Sequence, residues 1–250
     1  MRASIIYIAQ GNYWSSRHSF ENIGFAIKEK EVEFVIKDAP KEYIKTIGES
    51  EVELFVIDLT GDQRTTDYFK QIATEVIVSS ELVSQTYNSV FRKATYEYVC
   101  IIPSGLFLQR DWLTELYYYY VNVNKSGVIG IADDLEELDI LPMPNNELLE
   151  FISVFVPKTN LISGLAFFNR QHLYLVGAFD EDLQLYGNEI NQFALRCMGL
   201  GLYNYYIPSK TCVFLSEGKY TQPTDFSKGE ENMLHSISQM RKIRNYYIPL

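Results

Sequence analysis

Hydrophobic and polar positions along this chain form two kinds of block, which are short unbroken apolar runs and longer amphipathic stretches. The apolar runs are rich in Ile and Val, which is typical of strands buried on both faces. The amphipathic stretches repeat their apolar positions at the spacing of a helix with one buried face. The predicted strands, with their exit turns, are 3–9, 33–36, 53–62, 76–78, 99–102, 127–131 and 151–156. The predicted helices are 19–30, 40–48, 67–74, 79–92, 112–123, 188–199 and 227–244.

Strands and helices alternate over most of the chain, which predicts an α/β fold with a mostly parallel central sheet flanked by helices. The 250 residues suffice for one large domain with a full core or for two small ones. No linker interrupts the pattern, so we expect a single domain over 1–250.

The apolar run 99–102 ends abruptly at Pro103, Ser104 and Gly105. Proline removes a backbone donor and glycine permits unusual dihedral angles, so the strand stops there. Ligands of open parallel sheets bind outside the carboxyl ends of the strands. The turn at 103–105 is therefore the first place to look for a site.

Asn88, Ala94, Glu97 and Tyr98 precede this strand at a characteristic spacing. The stretch resembles the pattern N-x-gl-x-x-A followed by g-E-Y-i-x-f-L-D-x-D of GT-A glycosyltransferases of the inverting, family 2 type. The resemblance implies a GT-A, Rossmann-like sheet with a small mixed-sheet region on the acceptor side. It divides the chain into a nucleotide-side half over about 1–110, an acceptor-side half over about 111–225 and a C-terminal helix. The metal-binding aspartates of that family are not matched, since this chain has Pro103-Ser104-Gly105 in their place.

A second block resembles the same family. Its order is G-a-x-x-x-x-r-R, then v-G-g-F-D-e, then y-x-E-D-x-d-l-x-x-R-x-x-x-x-G and a late proline. The residues of this chain that fall on it are Gly164, Asn169, Arg170, 176–181, Tyr186, Glu189, Arg196, Gly201 and Pro208. The resemblance implies that Glu189 is catalytic, while Ile190 stands where the family has its aspartate base. A carboxylate near a helix start also complements the helix dipole, so a structural role for Glu189 is equally open. The resemblance also implies that Gly164, Asp180 and Tyr186 lie on the acceptor side.

The strand over 53–62 resembles e-i-i-v-v-D-x-x-S-x-D, in which the first aspartate contacts the nucleotide base and ribose. The resemblance implies a UDP- or GDP-sugar as donor. The residues that it places against the nucleotide sugar are Gln10, Asp58, Asp62, Asn88, Ser104, Gly105 and Arg196. An aspartate after a strand also commonly caps the next turn, so a structural role for Asp58 is equally open.

Three consequences for the chemistry follow. Without carboxylates at 103–105, no tightly held metal is expected, and Mn²⁺ or Mg²⁺ would bind only weakly. The backbone amides of Ser104 and Gly105 could instead cradle a phosphate as a nest. Arg170 and Arg196 could pair with a diphosphate.

Composition limits the partners. A formal net charge of −10 and a sequence pI near 4.9 argue against general affinity for nucleic acid or anionic lipid. The three cysteines show no CxxC spacing, which favours reduced, buried thiols. No apolar run approaches the ~20 residues that span a bilayer, and the apolar stretch at the amino terminus is too short for a signal peptide. We therefore expect a cytoplasmic protein.

Two hypotheses of different classes result. The chain is either a divergent glycosyltransferase that transfers a hexose to a glycan acceptor, or a GT-A pseudoenzyme that binds a protein or glycan partner or forms a homo-oligomer. A Rossmann-type oxidoreductase is disfavoured because no G-x-G-x-x-G follows the first strand.

Overall fold

A computed structural model describes residues 1–27, 32–34, 45–47, 51–81, 84–108, 112–132, 158–159, 165–182, 188–208 and 212–214. Its strands are β1 (Arg2–Ala9), β2 (Val32–Phe34), β3 (Lys45–Ile47), β4 (Glu51–Asp58), β5 (Glu75–Val78), β6 (Tyr98–Pro103), β7 (Leu106–Leu108), β8 (Ser126–Ala132), β9 (Lys158–Thr159), β10 (Ala166–Asn169), β11 (Tyr203–Pro208) and β12 (Cys212–Phe214). Its helices are α1 (Tyr13–Ile27), α2 (Gln63–Phe69), α3 (Ser84–Phe91), α4 (Trp112–Asn122), α5 (Gln171–Val176) and α6 (Glu189–Gly199).

One eight-stranded sheet organises the fold, in the order β5-β4-β1-β6-β10-β8-β11-β9. β5, β4, β1 and β6 are parallel, with Ile5 of β1 in register with Leu54 on one side and Cys100 on the other. β10 runs antiparallel to both β6 and β8, whereas β8 and β11 run parallel to each other. The predicted α/β fold with a mostly parallel sheet is confirmed, and its antiparallel part lies on the predicted acceptor side.

The central strands bury both faces because each face is covered by helices. Ile5 and Tyr7 of β1 belong to one hydrophobic cluster, and Ile6 and Ile8 belong to the other. The first cluster includes side chains from α1, α2 and α4, and the second includes side chains from α3, α5 and α6. Burial on both sides explains the unbroken apolar runs of the sequence.

Two helices begin earlier than their hydrophobic periodicity predicts, because a polar side chain caps each of them. Asn12 Oδ1 accepts a hydrogen bond from the Ser15 amide at 3.0 Å, so α1 starts at Tyr13. Asp62 accepts one from the Arg64 amide at 3.0 Å, so α2 starts at Gln63. Such caps satisfy amides that have no partner within the helix.

The helix predicted over 40–48 is wrong at its end, because Lys45–Ile47 pairs with Val32–Phe34 as an antiparallel ribbon. No strand is predicted between Gly105 and the helix at 112–123, yet Leu106–Leu108 pairs with Cys212–Phe214. Strands this short are decided by a distant partner rather than by local pattern. The predicted strand 151–156 and helix 227–244 lie outside the described residues.

The predicted reduced, buried thiols are confirmed for Cys100 and Cys197, which are both free and fully buried. Burial raises the pKa of the Cys197 thiol to about 12 and raises the pKa of Cys100 as well. In the portion of the chain that the structure covers, no helix combines the length and the apolar character needed to cross a membrane.

Candidate functional site

The exit turns of β4, β1 and β6 meet at the carboxyl edge of the sheet. Ala9 at the end of β1 is in register with Asp58 at the end of β4, and Ile8 is in register with Pro103 at the end of β6. The Leu59 amide donates to the Ala9 carbonyl at 2.8 Å, which continues this pairing beyond the strands. The structure thus brings Gln10, Asp58 and Ser104 to one edge, where ligands of parallel sheets bind.

Gln10 and Ser104 are joined directly across this edge. Ser104 Oγ accepts a hydrogen bond from the Gln10 amide at 3.1 Å and donates one to the Gln10 carbonyl at 3.2 Å. The Ser104 amide donates to the Ile8 carbonyl at 2.8 Å. These contacts use only the backbone of Gln10, which is half-buried.

The turn after β6 is held against α1. Gly105 adopts φ +92°, which favours glycine, and its amide donates to Ser19 Oγ at 3.0 Å. Asn22 Oδ1 accepts from the Leu108 amide at 2.8 Å one turn further along α1. The interpretation of Ser104 and Gly105 as a phosphate nest is wrong, because both amides already donate within the protein.

Asp58 is fully buried and connects β4 to α2. Its Oδ1 accepts from the Thr60 amide at 3.0 Å and from Thr60 Oγ1 at 2.7 Å, and its Oδ2 accepts from Thr66 Oγ1 at 2.6 Å. These are the contacts of an aspartate that organises the following turn. Contact between Asp58 and a nucleotide stays a prediction. The structural role of Asp58 depends only on contacts within the protein.

Asp62 lies further out on the same turn, with Thr60 Oγ1 accepting from its amide at 3.1 Å. Its carboxylate forms an ion pair with Arg64, with 2.6 Å between Oδ2 and Nη2. The hydrogen bond from Arg64 lowers the pKa of Asp62. The guanidinium of Arg64 also lies over the ring of Tyr13, 5.2 Å from its centroid. The sequence motifs missed Arg64 and Tyr13, which meet only because α1 and α2 begin side by side.

The remaining predicted residues form a second group between α3 and α6. Asn88 is buried and its side-chain oxygen accepts from the Phe179 amide at 3.0 Å. Arg196 is buried and donates to the carbonyls of Val176 and Ala178. Asp180 lies inside the segment that these two side chains hold, and Asp180 Oδ1 accepts from the Asp182 amide at 3.0 Å.

Arg170 does not belong to either group. Its amide donates to the carbonyl of Glu97, the residue before β6, so it lies at the amino edge of the sheet. Its Nη1 donates to the Ala94 carbonyl at 2.6 Å. The hypothesis that Arg170 pairs with a diphosphate at the carboxyl edge is therefore wrong. Gly164 and Tyr186 lie outside the described residues.

Glu189 is the first residue of α6 and is 2% exposed. The last turn of α6 leads into β11, whose direction matches that of β8 and β6. The end of α6 therefore lies near the amino edge of the sheet, where β11 starts. A helix of eleven residues is about 15 Å long, so its first residue lies near the carboxyl edge. Glu189 is therefore at the end of α6 that faces the carboxyl edge.

The side chains present do not fit the divalent metal that the resembled family implies. Mg²⁺ and Mn²⁺ prefer several carboxylate or water oxygens, and Pro103, Ser104 and Gly105 supply no carboxylate. Both oxygens of Asp58 accept hydrogen bonds from threonine groups. Across the parts of the chain with described coordinates, no three His, Cys, Asp or Glu side chains are grouped to hold a metal.

No family model and no curated protein matches the chain. Solved structures do match, and they are sugar-transfer proteins. This chain has the GT-A fold.

Three of the matching GT-A structures hold a nucleotide or nucleotide sugar. The mannosyltransferase PcManGT from Pyrobaculum calidifontis in complex with GDP-Man and Mn²⁺ is 16% identical, with a TM-score of 0.57 over 88% of this chain and 58% of that one. TarS 1-349 from S. aureus in complex with UDP-GlcNAc is 14% identical, with a TM-score of 0.54 over 93% and 65%. GalNAc-T7 with UDP, GalNAc and Mn²⁺ is 13% identical, with a TM-score of 0.59 over 92% and 47%. The chain spans less than two thirds of each.

Proposed function

We propose that the chain binds a UDP- or GDP-sugar at the carboxyl edge of β4, β1 and β6, and transfers a hexose to a glycan acceptor without a tightly bound metal. The observation that supports this proposal most is the meeting of Gln10, Asp58 and Ser104 at one edge of a GT-A sheet. The structures of similar shape were solved with GDP-Man, UDP-GlcNAc or UDP.

Each contact has a stated chemistry in this proposal. The side chain of Gln10 offers an amide to the nucleotide at the mouth of the turns. Asp62 and Arg64, on the rim, exchange part of their mutual ion pair for polar groups of the donor. Asp58 acts mainly by holding the turn that carries Asp62.

Glu189 is the proposed general base, which removes the proton of the acceptor hydroxyl as its oxygen bonds to the anomeric carbon of the sugar. The bond from that carbon to the diphosphate breaks in the same step, and the nucleoside diphosphate leaves with the bonding electrons. A base must reach the hydroxyl in the acceptor complex, and the start of α6 faces the appropriate edge. Replacing Glu189 by Gln keeps its shape and removes its basicity. We expect E189Q to lower transfer by about 100-fold while leaving nucleotide affinity unchanged.

The first experiment is a thermal-shift series with UDP, GDP and ADP, each with and without Mn²⁺. Ligand that binds only the folded state at about 100 times its Kd adds about 2.7 kcal/mol, or about 5–10 °C for a chain of this size. We expect UDP or GDP to raise Tm without Mn²⁺. Gln10→Ala should abolish the shift, and Gln71→Ala, an exposed glutamine after α2, should retain it.

A second candidate function is a GT-A pseudoenzyme that binds a protein or glycan partner. The observation that favours it is that the Ser104 and Gly105 amides and both Asp58 oxygens form hydrogen bonds within the protein. Groups at the predicted donor site therefore stabilise the fold. No shift with any nucleotide, together with a partner that co-purifies from the source cells, would decide for this candidate.

A further inference from the structure

Residues 176–182, which we call the clamped segment, are held along their backbone by side chains of α3 and α6. Arg196 Nη1 donates to the Val176 carbonyl at 2.7 Å, and its Nη2 donates to the Ala178 carbonyl. Gln85 Nε2 donates to the Glu181 carbonyl at 2.9 Å. After Val176, the last residue of α5, the segment is irregular, so these side chains replace the backbone partners that a helix or strand would supply.

Asn88 makes the central contacts of this arrangement. Its Nδ2 donates to the Phe179 carbonyl at 2.7 Å and its Oδ1 accepts from the Phe179 amide at 3.0 Å, like a residue of a neighbouring strand. Nδ2 also donates to Glu181 Oε1 at 2.8 Å. Both N–H groups and the oxygen of this 1% exposed side chain are thus used inside the protein.

Charge and packing support the same arrangement. Arg92, the residue after α3, has its Nη2 3.1 Å from Glu181 Oε1, which adds a charge-assisted bond to the segment. The ring of Phe179 packs edge-on against Tyr87 and Phe91, each with 5.0 Å between centroids. The backbone of Phe179 is fixed by Asn88 while its ring is fixed by the hydrophobic core.

We propose that Asn88 is a positioning residue that sets the place of Asp180 and does not contact the nucleotide sugar. Asp180 lies between the two residues that Asn88 binds, so its backbone moves only if that clamp opens. Because α3 belongs to the nucleotide-side half, the clamp ties the proposed acceptor side to the donor side. The acceptor role of Asp180 rests on the proposed function, whereas the clamp itself does not.

The first test measures amide hydrogen exchange in N88A and in S89A. Ser89 is the matched control because it is the next residue of α3 and its Oγ donates only to Thr86 of its own helix. We expect N88A to speed exchange of the Phe179 amide and its neighbours by about tenfold or more, with no change in β1 or β6. Equal exchange of residues 178–182 in N88A and wild type would overturn the inference.

The second test is a rescue. N88D places a carboxylate beside the Glu181 carboxylate and removes both amide donors, so we expect faster exchange than in N88A. E181Q in the N88D background supplies an amide donor to that carboxylate and should restore part of the protection, because the Phe179 carbonyl still lacks its donor, whereas E181Q alone should lower it. If E181Q adds no protection in N88D, the direct Asn88–Glu181 contact is refuted.

Nucleotide binding separates positioning from ligand contact. The Tm shift by UDP or GDP should be the same in N88A, S89A and wild type, whereas transfer to an acceptor should show a raised acceptor KM in N88A alone. A tenfold or greater loss of nucleotide affinity in N88A, on the order of one hydrogen bond, would refute positioning. If wild type shows no nucleotide shift, the proposed function fails, and the exchange experiments still decide whether the clamp exists.

Discussion

Ser19 and Gly105 are joined by a 3.0 Å hydrogen bond, in which the glycine amide donates to the serine hydroxyl. The same hydroxyl donates to the Leu106 carbonyl at 3.1 Å, so one side chain of α1 completes both sides of the turn after β6. In the resembled glycosyltransferases this turn carries the acidic metal motif. Here the turn is held by Ser19 of α1, a residue outside the sequence motif.

Replacing Ser19 by Ala should therefore destabilise the protein. It leaves a partly buried amide and a buried carbonyl without their partner, and such losses cost about 1–3 kcal/mol. His18→Ala is the control, because His18 is the preceding residue of the same helix and is exposed. We expect H18A to stay within about 0.5 kcal/mol of wild type in urea unfolding. Equal effects of S19A and H18A would contradict the anchoring role.

A second prediction separates the two roles of Asp58. If it organises the turn after β4, Thr66→Val should also destabilise, by about 1–2 kcal/mol, because it removes the 2.6 Å bond to Asp58 Oδ2. D58A should cost more, since Thr60 loses its acceptor as well. Asp67→Ala, an exposed change on the same helix, is the control. A nucleotide-contacting Asp58 with no structural role would leave T66V as stable as D67A.

Restoring an acidic motif in the turn should fail for a conformational reason. Gly105 has φ +92°, so G105D is expected to cost about 1–2 kcal/mol in strain. Gly199→Ala is the control, because a side chain at this helical glycine would meet nothing within 4 Å. It should be neutral or stabilising by up to about 1 kcal/mol. Calorimetry with Mn²⁺ should show no tight binding to P103D/G105D, and submicromolar binding would contradict this account of the turn.

The environment of Glu53 should make the stability of the protein depend on pH in the acid range. Burial acts to raise the pKa of this carboxyl, but hydrogen bonds from Ser4 and from the Thr95 and Tyr96 amides outweigh it and lower the pKa. A lowered folded-state pKa contributes stability that is present above the unfolded value of about 4.3 and is lost as pH falls through the folded value. E53Q should therefore lose less stability than wild type between about pH 5 and pH 3. Thr95→Val, which removes one donor, should behave between the two, and parallel curves would refute the assignment.

The sequence motifs identified more of the fold than of the site. The runs at 3–9, 53–62 and 99–102 were predicted as buried strands, and the strands that they form, β1, β4 and β6, are neighbours in the sheet. The antiparallel β10 and the β7–β12 pair were not predicted, because four- and three-residue strands take their identity from partners far along the chain. The sequence motifs predict that Asn88 and Arg196 contact a ligand. In the structure, both side chains form hydrogen bonds with the backbone of the clamped segment.

What the sequence determines by itself is the alternation of buried strands and amphipathic helices, and from it the layered α/β core, because burial on both faces of a sheet imposes that pattern locally. Tertiary structure alone decides which polar side chains meet. Ser19 and Gly105, or Asn88 and Phe179, are far apart in the chain and come together only when helices pack on the sheet. Hydrogen bonding has a reach of about 3 Å, so partners of this kind are set by packing and leave no periodic signal in the chain.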